Sequence, residues 1–205
     1  MKKGIIGAGG FGREVFWSLN PVERNNTVFF VNDEYWDNSD PNILPLSLFE
    51  TDKYEIIVAI GDSFARRNII ESLPKNTKFF THIHPSVQIL GDDIEIGEGS
   101  IICAGSILTT NIKIGRHAIL NRGNHIGHDC IIGNYFSAMP GSIVSGNVHI
   151  GNGVYLGTNS SVIEKKYILH DIVIGANSVV IRDITESGTY VGVPAKKIEK
   201  KDVSA

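Results

Sequence analysis

Every sixth residue from Leu90 to Val180 is apolar. The series runs Leu90, Ile96, Ile102, Leu108, Ile114, Leu120, Ile126, Ile132, Ala138, Val144, Ile150, Leu156, Val162, Ile168, Ile174 and Val180. Apolar residues make up 42% of the chain, so this run has a chance probability on the order of one in a million. The step breaks at His84 and at Glu186. The next residue is often glycine: Gly91, Gly97, Gly115, Gly127, Gly133, Gly151, Gly157 and Gly175. Two residues before each aliphatic stands a mostly small or aliphatic one, such as Ser100, Ser106, Ile112, Ala118, Cys130, Ser142, Val148, Val154, Ser160 and Ser178. A shared direction at i−2 and i is the strand period, and a strict six fits no helical stripe. The spacing predicts a solenoid of very short strands. Its corner glycines serve either a positive φ or a close approach of backbones. Cys130 falls in a small inward slot and Cys103 at a corner, so both read as packing residues.

Residues 1–85 follow another pattern. Gly4-Ile5-Ile6 is a short apolar strand, and Gly7-Ala8-Gly9-Gly10-Phe11-Gly12 after it matches GxGxxG, with a helix expected from Arg13. Thr27–Val31 is a second strand ending in Asn32-Asp33, and Tyr54–Ile60 a third, followed by Gly61-Asp62-Ser63 and a helix. Thr77–Phe80 is a fourth. Strands alternating with helices predict a parallel, Rossmann-like sheet. Glycines let backbone N–H groups approach a phosphate at a helix N-terminus, and an acid at the end of the second strand can accept from a sugar or base. About 85 residues are half a dinucleotide domain, so one nucleotide rather than NAD is expected.

Charge and composition narrow the classes. Nineteen Lys+Arg against 22 Asp+Glu give a net charge of −3, which supplies neither a nucleic-acid footprint nor a polybasic membrane anchor. No apolar run approaches the roughly 18 residues of a membrane span, and the glycine-rich start does not read as a signal peptide. Two cysteines make no disulfide framework and no CxxC pair. A cytoplasmic location is expected.

Together the segments carry a resemblance. Gly-Ala-Gly-Gly-Phe-Gly-Arg-Glu-Val at 7–15, Ala-Ile-Gly-Asp at 59–62, Ile-His-Pro at 83–85, His-Asp-Cys-Ile-Ile-Gly at 128–133, Pro-Gly at 140–141 and Val-Gly-Val-Pro-Ala-Lys at 191–196 stand in order. The chain resembles the NeuD, PglD and PerB group of sugar acyltransferases, within the hexapeptide-repeat superfamily. The resemblance implies a Rossmann-like nucleotide-sugar module over 1–85, then a left-handed parallel β-helix domain over 86–205, in which the repeat from Leu90 to Val180 makes about five turns of eighteen residues. It implies a homotrimer with active sites between subunits and acetyl-CoA along the β-helix. It makes His128 the catalytic base and Asp129 its orienter, and it places the nucleotide sugar on Gly9, Gly10, Phe11, Gly12, Arg13, Asn32, Asp33, Gly61 and Asp62. Acetyl-CoA falls to Ser137, Gly146, Thr158, Ala176 and Lys196, with Lys197 beside the last near the 3′-phosphate. Ser137 stands where many members carry a second histidine, so the thioester contact either falls to its hydroxyl or is missing.

The chemistry fits these residue types. An imidazole, with an ordinary pKa of roughly 6.5, takes a proton near neutral pH, and a carboxylate fixes its tautomer. No GxSxG elbow suggests an acyl-enzyme. His125 is the rival base; it too should face outward, and spacing does not separate the two. His117 and His149 read as solvent-facing turn residues, His170 as unpartnered, and His82 and His84 as structural. A zinc site would need three convergent imidazoles, and only His125 and His128 share a turn, so no metal is expected. Glu164-Lys165-Lys166, near lost corner glycines, reads as a solvated bulge. The expected activity is N-acetylation of a nucleotide-linked amino sugar, a 4-amino-deoxyhexose, for surface-glycan or lipopolysaccharide synthesis. The alternatives are O-acetylation of a sialic acid or other sugar, and a non-catalytic trimeric scaffold.

Overall fold

The computed structural model describes residues 1–198. Five parallel strands form the N-terminal sheet: β1 (Lys2–Ile6), β2 (Thr27–Val31), β3 (Ile43–Pro45), β4 (Tyr54–Val58) and β5 (Lys78–Phe79), in the order β3-β2-β1-β4-β5. Ile5, Ile6, Ile56, Ile57 and Val58 are buried as continuous runs, as strands covered on both faces require. Helix α1 (Gly10–Ser18) follows β1 and opens inside the glycine loop, three residues before Arg13. A short α2 (Pro21–Arg24) leads to β2, and α3 (Ser63–Ser72) follows β4.

From His82 to Val180 the chain winds into three walls of parallel two- and three-residue strands. Strands such as His125–Ile126 lie between their counterparts eighteen residues before and after, with His125 opposite Ile107 and Ile143. This is the left-handed β-helix of the hexapeptide-repeat class. The aliphatic series from Ile102 to Val180 forms one continuous core, joined by inward Ile112, Ala118, Cys130, Phe136, Val148, Val154 and Ile172.

Three details depart from the sequence reading. The frame slips at its start: Ile89, not Leu90, pairs with Leu108, and Leu90 is 65% exposed. One extra residue before Ile94 absorbs the slip, and Ile83 paired with Ile102 extends the repeat back to His82. At the other end Ile184 bridges to Ile168 and is buried, so the last coil is two residues shorter.

The corners are the second departure. The glycine after each aliphatic does not have a positive φ; the left-handed residue is the third after the aliphatic, among them Asn111, Asp129, Asn147, Asn159 and Asn177. Asparagine, aspartate and glycine tolerate that conformation best. The glycine next to the aliphatic serves close approach instead: a Cβ on Gly97 would lie 2.5 Å from the Arg116 nitrogen of the next coil. Third, Lys165 occupies a regular left-handed corner, so Glu164–Lys166 is not a bulge.

The first wall carries the N-terminal module. Its outward Ile101 and Ile119 are fully buried against Ile5, Val15, Leu19, Ile57 and Phe80, each contributing roughly 1.5–3 kcal/mol by leaving water. Arg66 of α3 completes the joint. Its buried guanidinium donates to the carbonyls of Ile60, Gly61, His117, Tyr135 and Phe136 and to Ser137 Oγ. No helix among the described residues is long and apolar enough to cross a membrane.

Candidate active site

Ile126 and Cys130 point into the core, so Gly127-His128-Asp129 must round the corner between the second and third walls. Asp129 takes the left-handed conformation, φ 60°. This turns its carboxylate beside the preceding residue, and Asp129 Oδ2 lies 2.7 Å from His128 Nδ1. Asp129 Oδ1 accepts a 2.6 Å hydrogen bond from Asn111 Nδ2, one coil back. The bond to His128, then that from Asn111, holds the Asp129 carboxyl below its ordinary range. With Nδ1–H donated to the carboxylate, Nε2 is the basic nitrogen. The imidazole rests on Gly146, one coil forward: a Cβ there would lie 2.5 Å from Nε2. Gly146 therefore makes the floor of the ring's site. The His128 side chain is 62% exposed, open to a reactant.

His125 is also exposed, but it projects from a strand of the second wall between Ile107 and Ile143. The geometry gives the carboxylate partner to His128. His117, expected in solvent, is buried between Phe79, with ring centroids 4.6 Å apart, and Tyr135, stacked at 5.6 Å. The N-terminal module covers it. Burial pushes its pKa down to about 4. His82 is buried with Nε2 2.7 Å from Ser18 Oγ, His84 bonds Ser86, and His149 and His170 are exposed.

Ser137 overturns an expectation. It is fully buried under the N-terminal module, donates to the Gly61 carbonyl at 2.7 Å and accepts from Arg66. That hydroxyl faces the joint between modules and is closed to a thioester. Gly146 shares the edge of His128. Thr158 and Ala176 are exposed and stack one coil apart on a different edge, between the first and second walls. The second wall separates these edges within one chain. Lys196 is exposed in a terminal two-residue strand, and its neighbour Lys197 pairs with Glu186 at 3.1 Å.

The nucleotide-loop residues gather at the C-terminal edge of the sheet. Gly9 is the N-cap of α1 with no side-chain cap, and the space around Gly9 and Gly10 is open. The first amides of α1 are thus left for an anion. Gly12 is required by packing, since a Cβ would collide with the Gly7 carbonyl. Phe11 packs on the interface cluster, and Arg13 reaches back to the Ala8 carbonyl at 3.1 Å. Asn32 is exposed, whereas Asp33 Oδ1 accepts from the Ser47 amide at 3.0 Å, and contacts with Ser47 hold its carboxyl below the ordinary range. Asp62 caps α3 through the Ala65 amide. With Gly61 it lines a cleft of about 520 Å³ floored by Met139, Tyr155 and Val173.

Asn111 and Arg66 are the parts the sequence reading missed. Asn111 lies eighteen residues before Asp129 in the ladder, so stacking by coil would have found it. Arg66 carries no comparable signal. Among the described residues no cluster of three or more His, Cys, Asp or Glu is arranged to hold a metal.

The solenoid thus carries a corner histidine–carboxylate pair, with a parallel-sheet module on one wall. Residues 4–73 match the PglD N-terminal domain family. PerB from Caulobacter crescentus, solved with CoA and GDP-perosamine, is 28% identical over 97% of this chain and 98% of its own, with a TM-score of 0.86. WeeI from Acinetobacter baumannii is 29% identical over 97% of this chain and 100% of its own, TM-score 0.85. The acetyltransferase domain of PglB from Neisseria gonorrhoeae is 25% identical over 96% and 99%, TM-score 0.84. Comparison with the curated proteins finds no match. The chain is an acyltransferase, similar over nearly its whole length to PerB, WeeI and the PglB acetyltransferase domain.

Proposed function

We propose that the protein transfers the acetyl group of acetyl-CoA to the amine of a nucleotide-linked amino sugar, a 4-amino-deoxyhexose, with His128 as general base and Asp129 as its orienter. The neutral amine attacks the thioester carbonyl, and the new C–N bond forms as Nε2 takes the proton the nitrogen loses. Collapse of the tetrahedral adduct breaks the C–S bond, and the imidazolium returns its proton to the leaving CoA thiolate. Asp129 keeps the proton on Nδ1 and stabilises the imidazolium between these transfers. The observation that carries this reading is the His128–Asp129 pair at 2.7 Å, with the ring seated on Gly146.

Similar enzymes support the substrate class: a perosamine N-acetyltransferase was solved with CoA and GDP-perosamine, and the PglB domain with acetyl coenzyme A. The nucleotide belongs on the uncapped start of α1, with Gly9, Gly10, Arg13 and Asn32 around it and Gly61–Asp62 beside it. Gly146 would flank the thioester, and Thr158, Ala176 and Lys196 would line the rest of acetyl-CoA. These residues lie on two edges separated by the second wall, which supports a site shared between chains of a homotrimer. A cytoplasmic role in surface-glycan synthesis follows from that substrate. Incubation with acetyl-CoA and a panel of UDP-, GDP- and dTDP-linked amino sugars should release free thiol with at least one of them. Release with sialic acid and with none of the panel would replace this reading by O-acetylation. No release with any acceptor would leave a scaffold.

A further inference from the structure

We infer that Asn111 is a positioning residue for the acetyl transfer, acting through Asp129; this rests on the reading of His128 as base. Asp129 projects from an exposed edge, its side chain 49% open to solvent. A carboxylate so placed rotates freely unless a second group fixes it. Asn111 Nδ2, at 2.6 Å, binds Oδ1 and leaves Oδ2 facing His128 Nδ1. The two residues repeat the same left-handed corner one coil apart, φ 50° and 60°, so the amide stands directly behind the carboxylate.

Asn111 is itself anchored. Asp93, displaced to this edge by the extra residue of the first coil, accepts from Thr110 Oγ1 at 3.0 and 3.1 Å and from the Asn111 backbone N–H. An uncharged donor thus stands between two carboxylates, and the Asp129 charge pushes the Asp93 carboxyl up against the hydrogen bonds that lower it. On the other side the next corner is Gly146–Asn147, which brings no charge; Glu164 and Lys165 follow one coil further, and Lys113 and Glu95 pair on the adjoining wall. Asparagine at 111 therefore lends orientation to Asp129 without adding charge.

The test compares pH profiles of kcat for wild type, Asn111→Gly, Asn111→Asp and His128→Gln. Glycine and aspartate both accept the left-handed backbone, so both variants are expected to fold. Asn111→Gly should lower kcat about 10-fold, as outer-shell partners do, and move the acid limb to lower pH, because a wandering Asp129 stabilises the imidazolium less. Asn111→Asp should move that limb to higher pH, because a second carboxylate stabilises the imidazolium more. A loosened corner would not shift the limb in opposite directions. Wild-type limbs in both Asn111 variants, beside an inactive His128→Gln, would overturn the inference and leave the base reading standing. An active His128→Gln would overturn both.

Discussion

Whether an imidazole works as a base depends on what holds its other nitrogen and what lies under its ring. Here the holder is Asp129 and the floor is Gly146. Gly146→Ala should therefore lower kcat at least about 10-fold, since displacing a reacting group by about 1 Å costs up to about 100-fold. The melting temperature of the solenoid should move little; equal activity in the variant would contradict the ring's placement. His117 makes a different prediction. Its folded pKa, about 4, lies below the ordinary 6.5, so the unfolded chain binds more protons between those values. Stability is full above about pH 6.5 and declines as pH falls towards 4, and burial pushes His82 the same way. Thermal melts from pH 7 to 4 should show this slope, and His117→Asn should flatten it. His128 and Asp129 were legible in a short local motif. The burial of His117 and of Ser137 was not, because both face a module whose docking leaves no mark on the hexad.

At the scale of elements, the two corner positions divide the steric work. Gly133→Ala would place a Cβ 2.7 Å from the Asn152 nitrogen of the next coil, and backbone cannot yield as a side chain can. It should cost roughly 1–3 kcal/mol in denaturant titration. Asn177→Gly, at a left-handed corner, should stay within about 0.5 kcal/mol of wild type. A reversal of that order would reject the assignment of corner roles. The hexad made the solenoid readable, but its starting frame was hidden because Ile89 and Leu90 are adjacent and both apolar; only pairing with Leu108 chooses between them. The joint between modules depends on Arg66, whose burial lowers its pKa to about 9 while six hydrogen bonds offset the cost of an unpaired charge. Arg66→Met should destabilise the protein by about 3 kcal/mol, because it strands several buried carbonyls. Unchanged stability on calorimetry would show that water replaces the guanidinium.

Across the whole molecule, the repeat supplies two parallel edges and the Rossmann-like module holds a nucleotide loop beside one of them. The buried Ile101–Ile119 face and the Arg66 joint fix that loop to the same coils that position the corner residues. Under the proposed function, this arrangement would bring a sugar to a thioester. The central claim is that His128 takes the proton of the attacking amine. The most direct measurement is kcat for acetyl transfer by His128→Gln at saturating acetyl-CoA and nucleotide sugar, with CoA affinity measured alongside. The account predicts a fall of about 10²- to 10⁴-fold with CoA binding unchanged. A variant within fivefold of wild type would contradict it.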